Sequence, residues 1–418
     1  MKTLLLSLGL TATPALAQSW YITADHYFNS ESGELVSPAT LIVDGNRISA
    51  VGSELPRPEG SRRLDLSGHT LLPGLIDMHV HLTLSENLHG YRRLGLSVPR
   101  QALIGAKNAR RTLDAGITTV RNLGAGGYAD IALRDAIAAG DVPGPRIFAS
   151  GPAIGITGGH CDNNLLAPEY RASGQGTADG PWAVRARVRE NIKYGADVIK
   201  LCATGGVLSK GTKVGVQQLT EEEMAAAVAE AHRRGLSVAA HAHGTGGIKA
   251  AIRAGVDTIE HASFLDGEAI RLAKANGTYL SMDIYDTEYI LAEGIKAGML
   301  PESIDKEKHT GQQQRDSFHR AAQAGVPMLF GTDAAVYPHG DNMKQLSRMV
   351  TFGLSPAEAL QSATWHPARV LGRDDLGSLK AGALADVIAV PGNPLENITL
   401  MEKVSLVMKD GELIRAPQ

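Results

Sequence analysis

The sequence predicts an α/β protein, a (β/α)8 barrel of the TIM type with a small β-sandwich built from both chain ends. In the middle of the 418-residue chain, short apolar runs alternate with segments of helical period. That alternation is typical of βα units and a parallel sheet. At both ends, apolar and polar residues alternate, and Asp-Gly pairs at 44–45 and 410–411 indicate hairpin turns.

The barrel is assigned to residues 71–371, and the two parts of the sandwich to 18–70 and 372–418. Its eight strands are predicted near 75–82, 117–123, 146–151, 197–203, 236–242, 257–262, 279–284 and 327–332. Amphipathic helices fall between them, for example at 101–115, 183–194, 220–234 and 308–324. Thr220 followed by three glutamates predicts a capping box at the start of one helix.

Residues 1–17, MKTLLLSLGLTATPALA, have the pattern of a secretory signal peptide. A basic residue precedes a short apolar run, and small residues at Ala15 and Ala17 fit the cleavage rule. The run is shorter than the ~20 residues that span a bilayer. We therefore expect cleavage after Ala17, a periplasmic or secreted protein, and no membrane partner. A disordered or anchoring N-terminus is the alternative.

The composition limits which kinds of partner the protein can bind. The net charge is −3 and no basic run stands out, which argues against nucleic acid. Two cysteines, Cys161 and Cys202, are too few for a disulfide scaffold. We predict two free thiols, with an oxidised pair after export as the alternative.

Polar residues stand at the ends of several predicted strands. They are His79, His81, Lys200, His241, His261 and Asp333. Because the carboxyl ends of barrel strands meet at one rim, these side chains should converge. Imidazole and carboxylate groups are preferred ligands of zinc-type divalent cations. The sequence therefore predicts a metal site at this rim.

Each of these residues also has a structural interpretation. His79 and His81 share one face of a strand, so both can reach one metal, or both can be core histidines. Asp333 can bind the metal and accept a proton, or cap a helix. Lys200 ends an apolar run, where burial would lower its pKa and favour the neutral amine. The alternative is a lysine that reaches water or pairs with a carboxylate.

The motifs that carry these residues resemble those of the amidohydrolase superfamily. They are PGLIDMHVHL, TGGH at 157–160, IKLCATGG, AHAHG, IEHASF and GTDA, in that order. The chain is most similar to the imidazolonepropionase-like and Xaa-Pro dipeptidase-like group, which includes secreted enzymes that hydrolyse the amide of ochratoxin. The resemblance implies two divalent metal ions, zinc by preference. It also implies that carbon dioxide adds to Lys200, giving N6-carboxylysine that bridges the two metals.

The resemblance also implies roles for single residues. His241 would bind metal and His243 substrate, with the exchanged assignment as the alternative. His160 and Tyr285 would contact substrate, and Asp333 would be the catalytic acid–base. The implied metal ligands are His79, His81, Lys200, His241, His261 and Asp333. Relatives of this kind form homo-oligomers, octamers among them.

The implied reaction is attack of a metal-bridged hydroxide on an amide carbonyl, with Asp333 passing the proton to the leaving nitrogen. We expect a dipeptidase- or carboxypeptidase-like enzyme acting on small peptides or N-acyl amino acids, with the amide of ochratoxin A as a further substrate. Lys210 and Lys213 are candidate partners for the substrate carboxylate. The alternatives are a cyclic amidohydrolase or lactonase with the same metals, and a non-catalytic periplasmic binding protein.

Overall fold

The computed structural model describes residues 19–416, so the predicted signal peptide lies outside the described residues. The strands are β1 (Ser19–Asn29), β2 (Glu34–Val36), β3 (Ala39–Asp44), β4 (Arg47–Gly52), β5 (Arg62–Pro73), β6 (Leu75–Val80), β7 (Ile117–Asn122), β8 (Arg146–Ala149), β9 (Val198–Cys202), β10 (Ser237–Ala242), β11 (Thr258–His261), β12 (Tyr279–Ser281), β13 (Met328–Leu329), β14 (Val387–Pro391), β15 (Leu406–Lys409) and β16 (Glu412–Arg415).

The α-helices are α1 (Val98–Asp114), α2 (Ala129–Ala139), α3 (Pro181–Lys193), α4 (Glu221–His232), α5 (Thr245–Ala254), α6 (Gly267–Asn276), α7 (Asp286–Glu293), α8 (Pro301–Gln323), α9 (Lys344–Thr351), α10 (Pro356–Ser362) and α11 (Trp365–Val370). Short 3-10 helices lie at Gly90–Gly95, Gly126–Tyr128, Pro168–Tyr170 and Ile398–Lys403. Within residues 19–416, no helix combines the length and apolar character that crossing a bilayer requires.

Strands β6 to β13 are the eight strands predicted for the middle of the chain, and they pair in parallel. They form two sheets, in the orders β6-β7-β8 and β13-β12-β11-β10-β9. Single parallel bridges, Val80 to Ala334 and Ile154 to Leu201, connect the two sheets at both junctions. The parallel α/β architecture is confirmed, although strand pairing does not run continuously through those junctions.

Local signals set the helix ends. The predicted capping box is confirmed at α4, where Thr220 Oγ1 accepts from Glu223 N at 3.2 Å and Glu223 Oε2 accepts from Thr220 N at 2.8 Å. Helix α8 begins at Pro301, seven residues before the predicted start at 308. Proline is favoured in the first helical turn because its missing N–H would have no helical partner there.

The two chain ends meet in one eight-stranded sheet with the order β16-β15-β14-β5-β1-β3-β4, and β2 pairs with β1. Its own apolar core takes Trp20 and Leu41 from one end and Val387 and Leu406 from the other. This confirms the predicted union of both ends. The strand pairing gives one sheet, whereas the predicted β-sandwich would have two separate layers.

Cys161 and Cys202 form a disulfide with a Cα–Cα distance of 6.1 Å, so the prediction of two free thiols was wrong. Cys202 is the last residue of β9. The segment after β8 pairs with β9 through Ile154 and Leu201 before it reaches Cys161. That path brings the two sulfur atoms together, and it could not be read from the spacing of two cysteines.

Candidate active site

A cavity of about 560 Å³ is lined by residues from the carboxyl ends of the parallel strands. All six predicted metal ligands line it, as do His160 and His243. Residues from β6, β9, β10 and β11, and the segment after β13, therefore converge as parallel strand ends should. Asp333 lies four residues beyond the short strand β13, so a turn rather than the strand itself delivers it.

His79, His81 and Asp333 form one side of the cluster. The Nε2 atoms of His79 and His81 lie 3.3 and 3.1 Å from Asp333 Oδ1. Asp333 has a φ of +48°, in the left-handed region that aspartate enters more easily than most residues. Burial would raise the pKa of the Asp333 carboxyl, but its interactions with His79 and His81 hold that pKa below its usual value.

Lys200 is buried in the floor of the cavity and is 3% exposed. Its Nζ lies 3.5 Å from His79 Nε2. Burial lowers the pKa of Lys200 to about 8, although the charges of Glu260 and Asp333 act in the opposite direction. A buried amine with this pKa has a substantial neutral fraction near pH 7 to 8, which is the nucleophilic form.

His241, His243 and His261 form the other side. One ring nitrogen from each lies within 4.8 Å of the other two. His243 Nδ1 lies 2.8 Å from Ser263 Oγ, and His261 Nδ1 donates to Asp283 at 2.8 Å. His261 and the next residue, Ala262, have φ values of +70° and +48°, so the backbone bends sharply where this ring enters the cavity.

The donor set fits a divalent cation. Among the described residues, buried His241 Nε2 has no hydrogen-bond partner, and Asp333 Oδ1 lies close to the Nε2 atoms of His79 and His81 without a hydrogen bond to either. Leaving such atoms unpaired would be costly without a ligand. Burial lowers the pKa of His79 to about 4 and that of His241 well below its ordinary value. Both imidazoles are thus neutral at pH 7, the form that binds metal. His261 differs, because Asp283 raises its pKa against the effect of burial.

The sequence interpretation missed the residues that support these rings. Glu260 Oε2 lies 3.2 Å from His79 Nδ1, and its other oxygen pairs with Arg121. Asp283 accepts from His261 and, at 2.9 Å, from Gln314 Nε2. Asp283 lies two residues past β12, so the strand-end pattern could have revealed it.

Of the predicted substrate residues, two line the cavity. The His160 ring stacks on His241 with centroids 3.9 Å apart, and its Nδ1 lies 2.9 Å from Ser209 Oγ. Burial chiefly lowers the pKa of His160 to about 3. His243 is the second.

Tyr285 is not among the residues that line the cavity. Its ring packs on Tyr337, with centroids 4.8 Å apart, and beside Lys344, so its placement does not support the predicted substrate contact. Lys210 and Lys213 are also absent from the lining, and Lys210 Nζ donates to Tyr91 Oη at 2.9 Å.

A parallel α/β core whose strand ends gather histidines, a lysine and an aspartate defines a metal-dependent hydrolase. Residues 70–414 match the amidohydrolase family, and the chain belongs to it. The protein is therefore a metal-dependent amide hydrolase that acts on a small molecule.

The similarity to known relatives extends over almost the whole length of the chain. The chain is 34% identical over 412 residues to ochratoxinase from Aspergillus niger, covering 92% of this chain and 84% of that one. A crystal structure of an Xaa-Pro dipeptidase with methionine bound in its active site is 39% identical. It has a TM-score of 0.88, with 96% of this chain and 100% of that one covered. A prolidase complexed with N-methylphosphonate-L-proline is 33% identical, with a TM-score of 0.87 and coverage of 96% and 100%.

Proposed function

We propose that the protein hydrolyses the amide bond of small peptides or N-acyl amino acids, as a dipeptidase or carboxypeptidase, and that ochratoxin A is among its substrates. The convergence of the six predicted ligands in one cavity carries this proposal. The names of its relatives, an ochratoxinase and an Xaa-Pro dipeptidase, support the substrate class.

His79, His81 and Asp333 would hold one divalent cation, and His241 and His261 a second, with zinc the preferred metal. Lys200, as N6-carboxylysine, would bridge them. Its burial beside His79 and its lowered pKa support reaction of the amine with carbon dioxide. When bound, the two cations would lower the pKa of water and polarise the scissile carbonyl.

The residues around the cations would move the proton and hold the substrate. Asp333 is ionised at neutral pH, so it can accept a proton and pass it to the leaving nitrogen. His160 and His243 each have one ring nitrogen beside a serine hydroxyl, and the other can meet a polar group of the substrate.

The cavity walls suit an apolar leaving group. Leu88, Leu94, Val207, Ile290 and Met299 line them together with the polar cluster. Ligand sites commonly combine apolar walls with a few fixed polar groups. The apolar walls therefore favour substrates in which the amino acid released from the amide is aromatic or proline.

We infer further that β6 to β13 act as one closed (β/α)8 barrel within residues 71–371, because the two single bridges connect the sheets at both junctions. The flanking parts, 18–70 and 372–418, would form the β-sandwich. Residues 1–17 would direct export of the protein to the periplasm or beyond and would then be removed. The Cys161–Cys202 disulfide supports an oxidising compartment. A homo-oligomer, in the form of an octamer, rests on the family resemblance alone.

The test combines elemental analysis of the purified protein with a substrate screen. The screen compares Xaa-Pro and Xaa-Phe dipeptides, N-acyl amino acids, ochratoxin A, cyclic amides and lactones. We expect two metal ions per chain, turnover of linear amides, and loss of turnover in a folded Asp333→Asn variant. Turnover of lactones or cyclic amides alone would contradict the proposal. So would binding of linear amides by the wild type without turnover.

A further inference from the structure

We propose that Arg93 binds the substrate carboxylate and makes a free carboxylate a requirement for efficient hydrolysis. This inference rests on the proposed amide hydrolysis and names the residue that selects for N-acyl amino acids and peptides with a free C-terminus. Nothing in the pattern of strand ends points to Arg93, which lies in the 3-10 helix Gly90–Gly95 between β6 and α1.

Arg93 lines the cavity, and the only other lysine or arginine in that lining is Lys200, within residues 19–416. Lys200 lies beside His79, where it is a proposed metal ligand and not a partner for the substrate carboxylate. The Arg93 side chain is exposed, and its guanidinium makes no hydrogen bond or ion pair with the part of the chain that the structure describes. A positive group in the cavity wall is therefore free to meet an anionic ligand.

The helix that carries Arg93 is fixed by its neighbour. Arg92 Nη1 donates to the carbonyl oxygens of Asn87 at 3.2 Å and Lys296 at 3.0 Å. Arg92 thus ties the helix to the segment before α8, while Arg93 is left to face the cavity. Anchoring of this kind holds the backbone of Arg93 in place, so the conformational entropy lost on binding a ligand is that of its side chain alone.

The position of Arg93 agrees with a contact on the substrate side of the site. Arg93 and His160 line the same cavity, and His160 is one of the rings proposed to face the substrate. Leu94, the next residue, also lines the cavity and would contact the apolar leaving group.

The chemistry of the guanidinium favours a carboxylate. Its planar fork of N–H donors matches the two carboxylate oxygens and can form a bidentate, charge-assisted pair. In an N-acyl amino acid, the carboxylate is separated from the scissile nitrogen by one carbon atom. We place this carboxylate at Arg93 and the scissile carbonyl beside Asp333, since both residues line the same cavity. Lys210 and Lys213, the cations suggested by the sequence, do not reach the lining.

The experiment compares N-acetyl-phenylalanine with its neutral primary amide, N-acetyl-phenylalaninamide. Steady-state kinetics give kcat and KM for acyl cleavage, and calorimetry gives the affinity of both compounds. The variants are Arg93→Gln and Arg93→Lys. The matched control is Arg100→Gln, an exposed arginine at the start of α1 that does not line the cavity. Metal content is measured in every variant.

We expect the wild type to prefer the acid, and Arg93→Gln to raise KM and Kd for the acid by roughly tenfold or more. The amide should be unaffected, Arg93→Lys should fall between, and Arg100→Gln should match the wild type. Equal loss for acid and amide in Arg93→Gln, or no loss for either, would overturn the inference. If the wild type cleaves no amide, the proposed function fails, and the calorimetric comparison still decides whether Arg93 selects the carboxylate.

Discussion

Arg121 and Glu260 form a fully buried ion pair, with Arg121 Nη2 2.7 Å from Glu260 Oε1. The second carboxylate oxygen, Oε2, lies 3.2 Å from His79 Nδ1. Burial opposes ionisation of Glu260, but Arg121, His79 and Lys200 together outweigh it and hold the pKa of this carboxyl below its usual value. The ionised carboxylate therefore orients the ring so that Nε2 faces Asp333 and Lys200.

This arrangement predicts that Glu260→Gln weakens metal binding by ~10–100-fold, the usual effect of losing a partner behind a metal ligand. The change also leaves Arg121 buried without its counter-charge, so stability should fall by about 3–5 kcal/mol. Competition with a chromophoric chelator measures the affinity, and thermal melts measure the stability. The control is Thr258→Val, which removes a hydroxyl bonded to both partners and keeps the pair. Metal affinity equal to the wild type in folded Glu260→Gln would contradict this role.

Lys200→Ala removes a proposed metal ligand. We therefore expect kcat to fall by more than the ~10–100-fold that follows the loss of a residue hydrogen-bonded behind a ligand. Short carboxylates such as acetate or propionate should restore part of the activity, since their oxygens can replace those of a carbamate. Metal content should rise with the added acid. Lys193→Ala, at an exposed lysine that ends α3, is the control. Full activity of Lys200→Ala without added acid would exclude a bridging role.

Removing the Cys161–Cys202 disulfide should destabilise the protein by ~2–4 kcal/mol, the usual range for such a cross-link. Activity should fall as well, because Cys161 follows His160 and Cys202 lies two residues after Lys200. The paired Cys161→Ser and Cys202→Ser variant is compared with reduced and oxidised wild type, with thiols titrated in each sample. Unchanged melting and turnover in fully reduced protein would refute this prediction.

Glu307 should make stability depend on pH. It is buried in α8, and its Oε1 accepts from Thr287 Oγ1 at 2.6 Å. Burial is the main cause that raises its pKa to about 7 from 4.5. The native state therefore binds the proton more tightly than the unfolded chain does. The resulting stabilisation is present below pH 4.5 and is lost as the pH rises through about 7.

Glu307→Gln keeps the oxygen acceptor and removes the charge, so it should recover up to roughly 3 kcal/mol above pH 7. Thermal melts of the variant between pH 5 and 8 should be flatter than those of the wild type. Glu222→Gln, at an exposed position of α4, should leave the pH profile unchanged. Parallel profiles for Glu307→Gln and the wild type would show that the carboxyl is not protonated in the native state.

The site residues that could be predicted from the sequence are those that lie at the ends of strands. An apolar run of strand length followed by a polar residue places His79, Lys200, His241 and His261 at one rim, and the structure does bring them together. Asp333 was found in the same way, although β13 is only two residues long and a turn completes the approach.

The remaining residues depend on contacts that no local pattern encodes. Glu260 adjoins His261 in β11, and only the packing of β7 places Arg121 against it. Tyr285 immediately precedes α7, and the start of that helix directs its ring toward Tyr337. Arg93 lies in a segment without strand or helix periodicity, so its place in the cavity depends on how Arg92 anchors the turn.

Trp20 Nε1 donates to the carbonyl oxygen of Gly411 at 3.2 Å, across 391 positions of the chain. Strands β14 to β16 complete the sheet that β1 to β5 begin, and the whole catalytic region is synthesised between them. During synthesis, the edge of β5 that pairs with β14 therefore stays unpaired until almost the entire polypeptide has left the ribosome. Exposed strand edges attract other chains, so a holding chaperone during synthesis would protect this protein more than one whose sheets close locally.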